Sequence, residues 1–111
     1  MPRDASDLLH GTLDVLVLKT LSWGPMHGYG IASWIESSTH DVLSVEEGSL
    51  YPALYRMEQR GWLKSDRRMS ELDRPAKFYQ LTAAGRRHLR SEAADWLVFA
   101  REVSRVLQAE T

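Results

Sequence analysis

Two clusters of polar side chains carry the chemistry this chain can offer. Ser49, Tyr51 and Arg56 lie close together, and Arg74, Lys77 and Tyr79 form a second group downstream. Hydroxyl, guanidinium and ammonium groups donate hydrogen bonds to phosphate oxygens and base edges, and the cations add attraction to a polyanion. The set is poorly suited to making or breaking covalent bonds. The sequence holds no nucleophile elbow, no phosphate-binding loop and no paired-carboxylate motif. It has no cysteine, so neither a disulfide nor a thiolate metal site exists, and the histidines at 10, 27, 40 and 88 lack metal-ligand spacing. A binding protein is expected rather than an enzyme, with no metal and no cofactor.

The first cluster needs a helix to position it. Residues 44–61 read as one: Ser44 followed by Glu47 is a capping-box pattern that predicts the start, and Gly61 predicts the stop. At 100° per residue, Leu50, Leu54 and Met57 fall on one line and form the core face. Gly48, Pro52, Tyr55 and Gln59 fall opposite, with Ser49 and Arg56 on one flank and Tyr51 on the other. A helix that only had to be soluble would carry Glu and Lys there. Small residues followed by hydroxyls and arginine suit entry into a DNA groove. On this stretch alone Tyr51 and Tyr55 are open to half-buried packing as well as to contact. Pro52 removes one backbone bond, to the Gly48 carbonyl, and predicts a tolerated bend.

The second cluster needs a hairpin. Residues 62–68 read as a strand with a polar outer end, 69–75 as a turn-rich tip, and 76–81 as an alternating strand with Phe78 on one face and Lys77 and Tyr79 on the other. Arg67, Arg68, Arg74 and Lys77 cluster on this wing, which must pack on helices because a lone two-stranded hairpin is marginal.

Upstream, residues 8–22 predict a first helix, apolar nearly all round and so largely buried. A second helix runs from 26 or 27 to 37, with either Tyr29, Ala32 and Ile35 or Ile31, Trp34 and Ile35 inward. Gly28 and Gly30 in its first turns imply a close approach, to the first helix or to a phosphate at the helix N-terminus. Downstream, Thr82 is a good N-cap for a final helix reaching about residue 108. Along it, Leu89, Ala93, Trp96, Ala100, Val103 and Leu107 form a heptad seam, for which a second copy of the chain is the economical partner.

Composition bounds the rest. The 111 residues make one domain-sized unit with 43% hydrophobic and 26% charged residues, values of a soluble globular protein. No apolar run is long enough to span a membrane and the start lacks a signal peptide, so a cytoplasmic, nucleoid-associated location is expected. The net charge of −1 conceals an uneven distribution: −5 over residues 1–55, +6 over 56–90 and −2 over 91–111. The local sign, rather than the total, decides how a surface meets phosphates.

The predicted order is three helices, two strands and a helix: an α+β, mainly α, winged helix-turn-helix with a long C-terminal dimerisation helix. HGYGI at 27–31, EEGSLYPALYRMEQRGWL at 46–63 and RPAKFYQLTAAGRRHL at 74–89 together resemble the PadR family of bacterial transcriptional regulators, its short subgroup in particular. The resemblance covers about residues 8–90, and the wing tip RRMSELDR is where relatives vary. It implies a homodimeric repressor on a palindromic operator in double-stranded DNA, with residues 1–81 as the DNA-binding domain and 82–111 as the dimerisation helix. It implies DNA contacts from Ser49 and Tyr51, and backbone contacts from Arg74, Lys77 and Tyr79; Arg56 is added from the charge pattern. Some relatives hold planar hydrophobic compounds against a tryptophan at the dimer interface, so Trp96 is a candidate for a hydrophobic effector as well as for dimer core. The competing expectation is a winged helix used only as a protein-interaction module.

Overall fold

The computed structural model describes residues 11–110. The described chain runs α1 (Thr12–Leu21), β1 (Met26–His27), α2 (Gly28–Ser38), α3 (Glu47–Gln59), β2 (Leu63–Met69), β3 (Pro75–Leu81) and α4 (Ala83–Leu107). This is the expected winged helix-turn-helix with one added strand. The predicted first-helix residues 8–10 lie outside the described part.

Apolar residues from every layer meet in one core. Val17, Leu18 and Leu21 come from α1, Ile31 and Ile35 from α2, Leu50, Ala53, Leu54 and Met57 from α3, and Leu63, Tyr79 and Leu81 from the sheet. Thr20 is the polar member, and its hydroxyl donates to the Leu16 carbonyl at 2.7 Å, so burial leaves no unmet donor. In α2 the inward face is Ile31 and Ile35; Tyr29 and Trp34 turn outwards, with Trp34 against Trp23 at 6.4 Å between ring centroids.

Three boundaries differ from expectation. Met26 and His27 do not open α2. They form β1, which pairs antiparallel with β3 through Met26–Tyr79 and His27–Phe78, giving a sheet in the order β1-β3-β2. His27 also caps α2, with Nδ1 accepting from the Gly30 N–H at 3.0 Å. Ser44 caps nothing: α3 begins at Glu47, with Glu46 at the N-cap position and no side-chain cap. Val45 is the reason. Its N–H donates to the Glu36 carboxylate on α2 at 2.8 Å and its side chain packs on the core, which holds this stretch extended. The wing strands reach Met69 and Pro75, so the tip is short; the Ser70 N–H donates to the Arg74 carbonyl at 2.8 Å and Asp73 turns the chain at φ +55°.

The C-terminal end of α3 is as expected. Gly61 has φ +80°; its N–H donates to the Glu58 carbonyl and the Trp62 N–H to the Met57 carbonyl, both at 3.0 Å. These two bonds are a Schellman motif, which requires the left-handed residue that glycine supplies. Helix α3 continues through Pro52 without a break.

Helix α4 is fastened where it starts. The Thr82 side chain accepts from the Gly85 N–H at 3.0 Å and donates to the Gly61 carbonyl at 2.6 Å, and Gly85 is buried against the Trp62 backbone. His88 then stacks on Trp62 at 3.6 Å between centroids, and Trp96 Nε1 donates to Thr12 Oγ1 on α1 at 3.0 Å. Beyond that point the helix leaves the body. Leu97, Val98, Val103, Val106 and Leu107 are exposed, the last at 78%.

Candidate nucleic-acid interface

Helix α3 has four sides, and each has a different neighbour. Leu50, Ala53, Leu54 and Met57 face the core. On one flank, the Arg56 guanidinium donates to the Asp14 carboxylate of α1 at 2.6 Å, and Ser49 lines a recess shared with Thr12, Leu13 and Val45. On the other flank, Glu58 reaches the wing. Its carboxylate accepts from Ser65 Oγ at 2.5 Å and lies 3.3 Å from Lys77 Nζ. The Ser65 hydrogen bond chiefly, with Lys77 assisting, holds the Glu58 carboxyl below its ordinary titration range, against the opposing effect of burial. The fourth side, Gly48, Pro52, Tyr55 and Gln59, faces outwards, with Tyr55 65% exposed.

Beside this outward side lies a groove of about 600 Å³ between the start of α2, α3 and the wing. Tyr51 stands in its wall, 45% exposed, with its ring packed against Gly28; a Cβ at Gly28 would come within 2.6 Å of the Tyr51 hydroxyl oxygen. This is the close approach that the glycine implied, and its protein partner is α3 rather than α1. Arg67, Arg74, Lys77 and Tyr29 line the same groove. Arg67 and Arg74 have no ion-pair partner among the described residues, whereas Arg68 is paired with Asp66 at 2.7 Å and covers Phe78. His27 closes the outer end, edge-on to Phe78 at 5.1 Å and 3.4 Å from the Glu71 carboxylate of the wing tip. The arrangement is a basic, aromatic-walled trough with donors along its rim, able to hold an extended polyanion.

The predicted contact residues therefore separate. Tyr51, Arg74 and Lys77 come together on the groove. Ser49 is exposed, but on the α1 flank. Arg56 is committed to Asp14, because the flank that carries it faces α1. Tyr79 is corrected most: it shares a face with Lys77, as the alternation required, but that face enters the core at Tyr79 and Leu81, leaving the tyrosine 5% exposed. Burial also raises its phenol's pKa. It packs beneath Lys77, 5.4 Å from the ammonium to the ring centroid, and supports the groove floor instead of presenting a contact. Tyr55 goes the opposite way, since it is exposed and not packed. Tyr29, Gln59, Glu58 and Arg67 were not singled out for contact. The helical wheel already held the signal for Tyr55 and Gln59, opposite Leu50.

The residues of the predicted heptad seam divide as well. Leu89 packs on the chain's own core, and Leu89, Ala93 and Trp96 line an apolar groove of about 560 Å³ with Val15, Leu16 and Leu97. Val103 and Leu107 lie on the projecting part of α4. No helix of the described residues is long and apolar enough to cross a membrane.

Comparison with known proteins agrees with this architecture. The profile of the transcriptional regulator PadR-like family matches residues 17–91, from α1 into α4. The structure superposes on a transcriptional regulator from Clostridium thermocellum with 25% identity and a TM-score of 0.78, over 89% of this chain and 96% of that one. A PadR-like transcriptional regulator from Bacillus cereus gives 27% identity and a TM-score of 0.77 over 94% and 99% of the two chains. A PadR family transcriptional regulator from Eggerthella lenta gives 31% and 0.70 over 94% and 85%. From the matched profile and these shared folds, the chain belongs to the PadR-like family of transcriptional regulators, which are DNA-binding and non-enzymatic.

Proposed function

We propose that the chain is a homodimeric repressor that binds a palindromic operator in the cytoplasm, on the nucleoid, and is released by a hydrophobic small molecule. One observation carries the DNA part of this reading: the outward side of α3 is exposed among the described residues and stands beside a basic groove on the wing. In this reading Gly48, Tyr55 and Gln59 enter the major groove, with Gly48 allowing close approach and Gln59 able to form a bidentate pair with adenine. Tyr51, Arg74 and Lys77 hold the adjacent backbone, joined by Arg67, and Ser49 contacts phosphate at the helix edge. Arg56 and Tyr79 act indirectly, as anchors of α3 and of the wing.

Residues 1–81 would carry DNA binding and 82–111 dimerisation, with the first helix contributing to the dimer. The projecting half of α4 supports this division, because Leu97, Val103, Val106 and Leu107 are exposed along one side of it without cover among the described residues. A second copy would cover it and meet Ala100, Val103 and Leu107 of the seam. The effector would lie in the apolar groove at Trp96, against α1, where a change in the packing of α4 alters the distance between the two recognition helices. Release requires that the compound bind the two dimer arrangements with different affinity.

Sedimentation of the purified protein and selection of bound fragments from its own genome test the reading together. The expected species is twice the 12.7 kDa chain mass, and the expected site is an inverted repeat with half-sites about one helical turn apart. A monomer at micromolar concentration contradicts the dimer. Enrichment of single, unpaired sites contradicts the palindrome.

A further inference from the structure

We propose that the Glu58 carboxylate is a stand-in for a DNA phosphate: in the free protein it occupies the anion position formed by Lys77 and Ser65, and DNA must displace it from Lys77 to bind. The proposal deepens the reading of the wing as a backbone-binding surface and rests on it.

The geometry points this way from three elements. Glu58 lies in the last turn of α3, Ser65 on β2 and Lys77 on β3. Opposite residues in the ladder are Ser65–Tyr79 and Arg67–Lys77, so Ser65, Arg67 and Lys77 project from one face of the wing, the face turned to α3. Ser65 Oγ donates to one Glu58 oxygen at 2.5 Å while Lys77 Nζ lies 3.3 Å from the other. A hydroxyl and an ammonium converging on two oxygens of one anion are the donors a phosphate would use. Lys77 lies at the rim of the basic groove, with its side chain 44% exposed, so phosphate can reach it. The Lys77 pair itself, this accessible, contributes little to folding, and what Glu58 adds to stability comes chiefly through Ser65. The pair's consequence is for binding, because every phosphate that takes Lys77 first separates it from Glu58. The chain thereby lowers its affinity for any DNA sequence, leaving discrimination to the outward side of α3.

A double-mutant cycle on DNA affinity tests this, with one promoter fragment and one unrelated fragment titrated over a salt series. Glu58→Gln keeps an acceptor for Ser65 and removes the competing charge. It should bind both fragments several-fold more tightly than wild type. Lys77→Met should weaken both and reduce the salt slope by about 0.9, one phosphate contact. In the Lys77→Met background, adding Glu58→Gln should restore little or none of the gain, because the two residues act through one interaction. Wild-type or weaker binding by Glu58→Gln, with its melting temperature preserved, overturns the proposal and assigns Glu58 a structural role. A gain that persists in full without Lys77 also overturns it, by assigning the effect to general charge repulsion. Absence of salt-dependent binding by the wild-type protein removes the DNA-surface reading itself, and this proposal with it.

Discussion

Tyr51 is the residue at which two helices share one contact. Its ring fills the space that Gly28 leaves open at the start of α2, so the position of a proposed DNA contact on α3 is set by an absent side chain on another element. Replacing Gly28 with Ala should change stability by less than about 1 kcal/mol, since alanine is the better helix former and the tyrosine tip can move aside. DNA affinity should nevertheless fall about tenfold, the size of one misplaced hydrogen bond. Unchanged affinity, measured by anisotropy of a labelled promoter fragment, would remove Tyr51 from the contact set. The helical wheel ordered the faces of α3 correctly, yet it could not say which flank meets α1 and which meets the wing. That choice depends on where Asp14 and Lys77 come to lie in three dimensions, so the Arg56–Asp14 pair is not readable from the wheel; the burial of Tyr79 depends instead on where the wing face enters the core.

Between elements, the tightest constraint is where α4 leaves the wing. Gly85 is buried with no room for a Cβ, which would collide with the Trp62 carbonyl oxygen, a backbone atom that cannot rotate away. Gly85→Ala should therefore destabilise the fold by about 1–3 kcal/mol, the usual cost of overpacking, read as a lowered denaturation midpoint. A wild-type midpoint would show that α4 can shift on the wing. The link between α3 and the wing has a pH signature. Glu58 titrates below its ordinary value in the folded chain, so its stabilising effect is complete at neutral pH and is lost as pH falls through the folded-state value. The stability difference between wild type and Glu58→Gln should close as the solution is acidified below the ordinary value; a difference independent of pH would contradict the assignment. The element order was readable from periodicity and glycine punctuation, and Thr82 and Gly61 behave as their types predict. Ser44 and Met26 did not, because tertiary contacts decided there: the Glu36–Val45 bond delays α3, and β3 recruits Met26 and His27 as a third strand.

The whole molecule is longer than a globular chain of its size. Its radius of gyration is 15.4 Å, with extents of 56 × 31 × 23 Å; about 13 Å is usual for a compact chain of this length. The excess comes from α4, whose 25 residues span about 37 Å and leave the body after Trp96. The seam spacing made this helix readable in the sequence, but not how much of it the chain covers itself. Charge follows the chain order: the positive stretch 56–90 covers the last turn of α3, the wing and the root of α4, and it meets the acidic first half at the Arg56–Asp14 pair. If the wing side of the groove grips the DNA backbone, Arg74 is its most accessible contact, being exposed on the rim with no ion-pair partner among the described residues. The direct measurement is the salt dependence of promoter affinity for wild type beside Arg74→Ala. Log affinity should fall linearly with log salt, with a slope shallower by about 0.9 for the variant. A wild-type affinity indifferent to salt, or an identical slope in the variant, would contradict that grip.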